Sequence, residues 1–351
     1  MQNMSVHSLE FQLLNNYQQR FPLCSRPFAH IAETLGSSES GVLQAYAQLL
    51  QAGRISRIGA VFTPQRIGAS TLAALSIPPE RLAAVAAMVS QFPEVNHNYE
   101  REHRFNLWFV VTANATERLH AVLTQIEANS GLSLLRLPLQ AQFHIDLGFN
   151  LKRTHHTNLA EPAGYATFNK ATIAEAHETY LPDASAQALI NALQGGLALV
   201  AQPYALLAQQ LGWSEQQVLE HIQTWLNNGL LKRFGVVVRH HELGYTANAM
   251  VVHNIPDALV QQLGHQLGQH PGVTLCYQRP RVGTEWPYNL FCMLHGRERT
   301  EVERQIAELR ATHGLQDYAF DVLFSRTRYK QQGAYYANGA PTTTAHSAVE
   351  A

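Results

Sequence analysis

The segment SSESGVLQAYAQLLQAG, from Ser37 to Gly53, decides the architecture of this 351-residue chain because the chain contains it twice. Its counterpart, WSEQQVLEHIQTWLNNG, runs from Trp213 to Gly229, which is 176 residues further on (213 minus 37). In each copy a serine suited to capping precedes apolar side chains at helical spacing. The pattern predicts the same helix at two places in the sequence.

The repeat extends far beyond this helix. Matched residues keep a separation of 176 over the first part of each copy, and the separation rises to 178 and then 183 after small insertions (229 minus 53, 277 minus 99, 290 minus 107). A constant offset over so many positions indicates two copies of one module. The matched pairs include Gly36 and Gly212, Arg57 and Arg233, Gly59 and Gly235, Tyr99 and Tyr277, and Arg101 and Arg279.

Each copy predicts the same order of elements. Three helices and a wing strand form a winged helix-turn-helix in each copy, and a βαββαβ unit of the ferredoxin-like type follows. The predicted fold class is therefore α+β, with two tandem modules. The predicted boundaries are 8–66 and 185–242 for the winged helices, 67–150 and 243–336 for the ferredoxin-like domains, 151–184 for a polar linker, and 337–351 for a disordered tail.

Composition narrows the classes of function. The net charge is −1, the three cysteines are scattered, and the N-terminus lacks the basic and apolar parts of a signal peptide. No apolar run is long enough to span a membrane. The two helices that would read DNA contain no lysine or arginine, the residues that contact phosphates. These features predict a cytoplasmic protein with neither a membrane nor a nucleic acid as partner.

Ionisable side chains collect in the predicted strands. In VNHNYERE, strand alternation places Val95, His97, Tyr99 and Arg101 on one face. Arginines bind carboxylates through two parallel hydrogen bonds, and histidine can ligate iron. An aromatic face with arginine and histidine is therefore suited to a flat polycarboxylate such as an iron porphyrin.

The two copies differ in these ionisable residues. Leu275 stands at the position of His97, and His295 stands at the position of Thr112. Arg239 and His240 of copy two have no ionisable counterpart in copy one. The sequence thus predicts two similar but unequal sites.

Several long motifs resemble one family. The modules as a whole resemble the Lrp/AsnC regulators. Within that superfamily, RIGAVF, VNHNYEREHRFNLWF and FHIDLGF are similar to the D-type half of the siroheme decarboxylases of haem d1 biosynthesis. KRFGVVVRHHELGYTANAMVV and WPYNLFCMLHG are similar to the L-type half. The resemblance covers residues 8–336 and implies a fused D–L enzyme.

The resemblance implies a non-oxidative carboxy-lyase that removes carbon dioxide from two acetate side chains of siroheme and yields didecarboxysiroheme. It implies no separate cofactor, because the iron tetrapyrrole is the substrate and its macrocycle takes up the electron pair. A histidine would supply the proton. The implied catalytic residues are His97, His144, His240 and His295, with His97 as proton donor or axial ligand of the substrate iron. The implied substrate-binding residues are Arg57, Tyr99, Arg101, Arg233, Arg239, Tyr277, Arg279, Trp286 and Tyr288.

Three alternatives stay open at this point. The chain could be a tetrapyrrole-sensing regulator of the Lrp type, or a carrier that binds siroheme without turnover. The D and L halves are expected to pair within the chain, and a homodimer is an alternative way to cover the open sheet faces. The sequence does not decide which histidine meets the iron and which one delivers the proton.

Overall fold

A computed structural model describes residues 8–63, 66–145, 180, 182–238 and 247–333. The predicted tail and nearly all of the predicted linker lie outside the described residues. The chain divides into two compact units that each combine parts of both copies. Unit 1 comprises Met1–Ile67 and Gly148–Leu243, and unit 2 comprises Gly68–Leu147 and Gly244–Ala351.

Unit 1 contains both winged helix-turn-helix segments. Each segment has three helices followed by one wing strand. In copy one they are α1 (Leu9–Asn16), α2 (Pro27–Leu35), α3 (Glu39–Gln51) and β1 (Ile55–Phe62). In copy two they are α6 (Ala184–Gly195), α7 (Pro203–Leu211), α8 (Glu215–Asn227) and β7 (Leu231–Val238).

The wing strands join the two copies within unit 1. β1 and β7 form an antiparallel pair in which Gly59 lies opposite Gly235. A Cβ atom at Gly235 would lie 2.3 Å from the carbonyl oxygen of Tyr17, and one at Gly59 would lie 2.9 Å from that of Leu193. Both glycines therefore repeat because another stretch of backbone passes too close for any side chain.

Unit 2 contains both βαββαβ segments. In copy one the elements are β2 (Ala69–Leu75), α4 (Pro79–Ser90), β3 (Val95–Arg101), β4 (Leu107–Ala113), α5 (Thr116–Ser130), β5 (Leu135–Pro138) and β6 (Ala141–Ile145). In copy two they are β8 (Ala247–His253), α9 (Asp257–Gly268), β9 (Val273–Gln278), β10 (Leu290–Gly296), α10 (Arg299–Thr312) and β11 (Phe320–Gln331).

All strands of unit 2 that the structure describes belong to one nine-stranded sheet. Its order is β5-β2-β4-β3-β11-β8-β10-β9-β6. The two edge strands are consecutive in the chain, joined by Leu139 and Gln140, so the sheet curls until its edges approach each other. Two apolar cores lie between its outer face and the helices, one with α4 and α5 and one with α9 and α10. The opposite face is the inner face.

The end of copy one differs from the prediction. The sequence predicts one final strand over 133–144, whereas the structure has β5 and β6 at opposite edges of the sheet. Pro138 ends β5 because proline has a fixed φ and no N–H to donate to a ladder. In copy two Phe324 stands at the position of Pro138. β11 is therefore one continuous strand, whose first part pairs with β8 and whose later part pairs with β3. The predicted fold class of two tandem modules is confirmed.

No helix in the described part of the chain combines the length and the hydropathy that a membrane span requires.

Candidate functional site

The inner face of β3 carries the predicted row of His97, Tyr99 and Arg101. Tyr99 lies opposite Trp108 of β4, which belongs to the apolar cluster of the inner face. Val95 was predicted to share this row, but it packs in the outer core with α4 and α5. The cause is a bulge between Val95 and His97, which reverses the alternation of side chains at that point.

His97 is a half-buried imidazole on this inner face. Its ring stacks on that of Tyr99, with centroids 6.3 Å apart and planes 17° from parallel. Burial lowers the pKa of His97 from 6.5 to about 4, because the protein removes the water that would solvate the charged ring. His97 is therefore a neutral imidazole at neutral pH.

Arg101 and Arg279 occupy equivalent buried positions in the two copies. Each guanidinium leans over the tyrosine two residues before it, 5.8 Å from the centroid of Tyr99 and 5.4 Å from that of Tyr277. Burial lowers the pKa of each arginine to about 10, so both stay charged at neutral pH. Among the described residues, no carboxylate lies within ion-pair distance of either group. These two positive charges suit an anionic ligand.

Tyr277 lies on β9, opposite Phe291 of the inner-face cluster. Burial raises the pKa of Tyr277 to about 12, so the phenol keeps its proton and can donate a hydrogen bond. Tyr99 has a raised pKa for the same reason. The two tyrosines are therefore matching donors in the two copies.

A polar row crosses the inner face near His295. Nδ1 of His295 lies 3.0 Å from Oγ1 of Thr274 on β9. On the other side, His295 is the register partner of Asn248 on β8. Asn248 in turn accepts a hydrogen bond of 2.5 Å from Ser325 of β11, and Ser325 is the register partner of Arg101. The row links strands of both copies.

The aromatic residues predicted to line a pocket take different places. Trp286 is fully buried in the inner-face cluster, where its ring centroid lies 5.1 Å from that of Trp108. Its indole N–H has no acceptor in the part of the chain that the structure describes. Tyr288 is half-buried, 5.1 Å from Trp286 between ring centroids. Trp286 is thus a packing centre of this face, and Tyr288 lies at the rim of the same cluster.

His144 does not join the inner face. It lies on β6 as the register partner of Cys276, which belongs to the outer core. A Cβ atom added to Gly268 of α9 would lie 2.8 Å from Cβ of His144, so this side chain starts close to the helix. The structure therefore separates His144 from the face that carries His97. Arg239 and His240 lie outside the described residues.

Arg57 and Arg233 belong to unit 1. Nη2 of Arg57 donates to the carbonyl of Ala60 at 2.9 Å, and Nη1 of Arg233 donates to that of Val236 at 2.9 Å. The same bond to the carbonyl three residues ahead occurs in both copies. These bonds explain why the two arginines repeat, and both arginines belong to unit 1 whereas Arg101 and Arg279 belong to unit 2.

The sequence analysis did not predict three polar residues of this face, Thr274, Asn248 and Ser325. They are small polar residues on three strands, and the register of the sheet brings them beside His295 and Arg101. The one signal in the sequence was the replacement of Thr112 by His295 at the matched position, which pointed to altered polar chemistry nearby.

Family models match both copies. A siroheme decarboxylase NirDL-like helix-turn-helix domain matches residues 10–55 and 186–231. An AsnC-like ligand-binding domain matches residues 66–144 and 242–330. The two models together match well over half of the chain. In each copy the helix-turn-helix model matches first and the ligand-binding model follows.

Curated relatives match at full length and at half length. The siroheme decarboxylase NirDL subunit of Paracoccus denitrificans is 42% identical over 338 residues, which are 96% of this chain and 100% of the relative. The siroheme decarboxylase NirD subunit of Pseudomonas aeruginosa is 51% identical over 147 residues, 42% of this chain and 98% of the relative.

A solved structure agrees with the fold. The crystal structure of the siroheme decarboxylase NirDL in co-complex with an iron-uroporphyrin III analogue has a TM-score of 0.66 and 24% identity, and the match covers 93% of each chain. At that identity the likeness concerns the fold.

Proposed function

The chain belongs to the siroheme decarboxylase NirDL family and is a carboxy-lyase, and on that premise we propose that it removes carbon dioxide from two acetate side chains of siroheme to give didecarboxysiroheme. The observation that carries the proposal is the inner face of unit 2. It combines an apolar aromatic cluster with two buried arginines and with His97 and His295. A flat tetrapyrrole with an iron and a rim of carboxylates has complementary chemistry.

The chemistry that the family name implies needs few groups from the protein. When an acetate carboxylate leaves as carbon dioxide, the electron pair of the broken C–C bond remains on the methylene carbon. The conjugated macrocycle delocalises that charge, so no separate organic cofactor is required. A proton must then reach the methylene carbon to form the methyl group. The protein has to hold the rim, position one acetate and supply the proton.

Arg101 and Arg279 are the groups proposed to hold the rim carboxylates. Nε of Arg279 is buried and has no hydrogen-bond acceptor among the described residues, and a carboxylate oxygen would satisfy it. Nη2 of Arg101 contacts only the sulfur of Met293 at 4.0 Å among the described residues, a weak acceptor that a carboxylate would replace. Tyr99 and Tyr277 stand beside these arginines as further donors.

His97 and His295 are proposed to have different tasks. Because His97 has its pKa lowered to about 4, it is a poor store of a proton at neutral pH but presents the neutral ring that ligates iron. We assign it to the iron of the substrate. His295 has polar neighbours, because its Nδ1 lies 3.0 Å from the hydroxyl of Thr274 and its register partner is Asn248. We assign it to proton delivery.

The proposal is tested by the rate of product formation from siroheme under anaerobic conditions. We expect His97→Ala to lower the rate by at least about 100-fold, equivalent to ~2.7 kcal/mol of activation free energy. The absorption spectrum of bound siroheme should change as well, because the iron loses its ligand. His120→Ala, at an exposed position on α5, is the matched control and should leave both unchanged. Full activity of His97→Ala would exclude this role for His97.

A siroheme carrier is the second candidate, because a protein that only binds siroheme would need the same apolar face and the same arginines. A carrier would return siroheme unchanged from this incubation, and a sensor would in addition bind DNA.

A further inference from the structure

Thr274 makes two hydrogen bonds that define the proton positions around it. Its Oγ1 lies 3.1 Å from the carbonyl oxygen of Met293 and 3.0 Å from Nδ1 of His295. A hydroxyl has one proton to donate, and a carbonyl oxygen can only accept. The hydroxyl of Thr274 therefore donates to Met293, and Nδ1 of His295 must be the donor in the second bond.

This arrangement selects one tautomer of His295. A neutral imidazole has a single N–H, and the hydrogen bond made by one ring nitrogen decides which nitrogen holds the proton. With Nδ1 donating to Thr274, the lone pair of the neutral ring is on Nε2. When the ring is protonated, the added proton is the one on Nε2, while the bond from Nδ1 to Thr274 persists.

We propose that Thr274 is a positioning residue that keeps Nδ1 of His295 protonated and so makes Nε2 the nitrogen that delivers the proton. This inference rests on the proposed function. As the C–C bond to the carboxylate breaks, carbon dioxide leaves and its bonding pair stays on the methylene carbon. The N–H bond at Nε2 breaks, a C–H bond forms, and His295 becomes neutral, with the N–H at Nδ1 still donating to the hydroxyl of Thr274. Solvent then returns one proton to Nε2.

The comparison of the two copies supports a specific role for this pair. The positions of Thr274 and His295 correspond to Asn96 and Thr112 in copy one. There, Thr112 has its hydroxyl 3.1 Å from that of Ser70 instead. The strands that carry these positions, β3 and β4 in copy one and β9 and β10 in copy two, pair in the same way, so this pairing does not require a threonine and a histidine. The pair is an addition to the inner face of copy two.

The kinetic test uses two substitutions at Thr274 in the full chain. Thr274→Val keeps the branched shape and removes the hydroxyl, and Thr274→Ser keeps the hydroxyl. We expect Thr274→Val to lower kcat for carbon dioxide release by about 10-fold to 100-fold, the effect usual for losing a group that orients a histidine, with KM for siroheme little changed. Thr274→Ser should restore kcat to within about threefold of the wild type, since the donor and acceptor remain. Equal losses in both variants, or a wild-type kcat in Thr274→Val, would overturn the proposal.

The tautomer can be observed without turnover. In protein labelled with ¹⁵N-histidine, the ring nitrogen that bears the proton has a distinct chemical shift, and His295→Gln identifies the signals of His295. We expect protonated Nδ1 in the wild type and in Thr274→Ser, and a mixture of tautomers in Thr274→Val. A neutral ring that carries its proton on Nε2 in the wild type would contradict the proposal. Because this measurement needs no substrate, an inactive wild-type chain would count against the proposed decarboxylation alone.

Discussion

Arg101 and Arg279 each donate a hydrogen bond to a backbone carbonyl in the other copy of the module. Nη1 of Arg101 donates to the carbonyl of Leu323 in copy two at 2.9 Å, and Nη1 of Arg279 donates to the carbonyl of Leu137 in copy one at 2.5 Å. Leu137 and Leu323 are themselves equivalent, because they pair with the matched positions Leu72 and Met250. The two arginines thus form a reciprocal crossing that ties the copies together within unit 2.

This pair of hydrogen bonds predicts that Arg279 stabilises the fold in addition to its proposed role in binding a ligand. Arg279→Met would keep the apolar stem and leave the carbonyl of Leu137 buried without its donor. The expected loss is about 1–3 kcal/mol in the free energy of unfolding, measured by chemical denaturation. Arg304→Met is the matched control, because Arg304 is exposed and its one ion pair among the described residues is an exposed one with Glu308 on its own helix. That control should change stability by less than about 0.5 kcal/mol. Equal effects from the two substitutions would show that the crossing contributes nothing.

The close backbone approach at Gly235 predicts that an alanine there destabilises the fold far more than an alanine at an unobstructed glycine. In Gly235→Ala the new Cβ would lie 2.3 Å from the carbonyl oxygen of Tyr17, and a backbone atom cannot rotate away as a side chain can. We expect a loss of more than about 3 kcal/mol, or failure to fold. Gly195→Ala at the end of α6 meets nothing within 4 Å and serves as the control. A Gly235→Ala chain as stable as Gly195→Ala would contradict the described wing pairing.

His253 predicts a dependence of stability on pH. The ring is fully buried beside Phe320, and burial, with a smaller contribution from the charge of Arg310, lowers its pKa from 6.5 to about 3. Between these two pH values the unfolded chain binds a proton that the native chain does not. The free energy of unfolding therefore falls as the pH falls below 6.5, by about 1.4 kcal/mol per pH unit for this one group. Above pH 6.5 the contribution is fully present and constant.

Leu75 stands at the position of His253 in copy one, so His253→Leu is a substitution that the module already accommodates. We expect this variant to lose less stability than the wild type when the pH is lowered from 7 to 5, as measured by the denaturation midpoint. Identical shifts of the midpoint in both proteins would assign the acid sensitivity to other groups, among them His97.

The polar surface of the helix-turn-helix segments predicts no binding to DNA. The acidic residues Glu39 and Glu215 lie in the first turns of α3 and α8, and neither helix contains a basic residue other than His221. Phosphate contacts by lysine and arginine supply most non-specific affinity. Fluorescence anisotropy with labelled duplex DNA at about 50 mM salt, where electrostatic binding is strong, should show no complex. A salt-dependent complex in the micromolar range would instead support a regulator.

The sequence predicted the two modules and their order of elements, but it predicted only some of the residues on the inner face. The repeat gave the two modules, because caps, glycines and apolar spacing are local properties that can be identified in one stretch of chain. It did not predict the bulge at Val95 or the outward position of His144, because both depend on register between strands. The row of Thr274, His295, Asn248 and Ser325 needs four strands to be in place before its members become neighbours. Such an assembly has no signature in any single segment.

The split of the final strand in copy one has the same explanation. Pro138 marks the end of β5 in the sequence, but only the sheet order shows that the chain then crosses to the opposite edge. The reciprocal arginine crossing likewise uses backbone carbonyls, which no residue type signals.

The most direct measurement of the central claim is the mass of the tetrapyrrole after anaerobic incubation of the purified chain with siroheme. Chromatography and mass spectrometry should show the loss of two molecules of carbon dioxide per siroheme, with no added cofactor or second protein. Loss of only one would restrict the chain to a single decarboxylation. Siroheme that remains bound and unchanged in mass would contradict decarboxylation by this chain and favour a carrier or sensor.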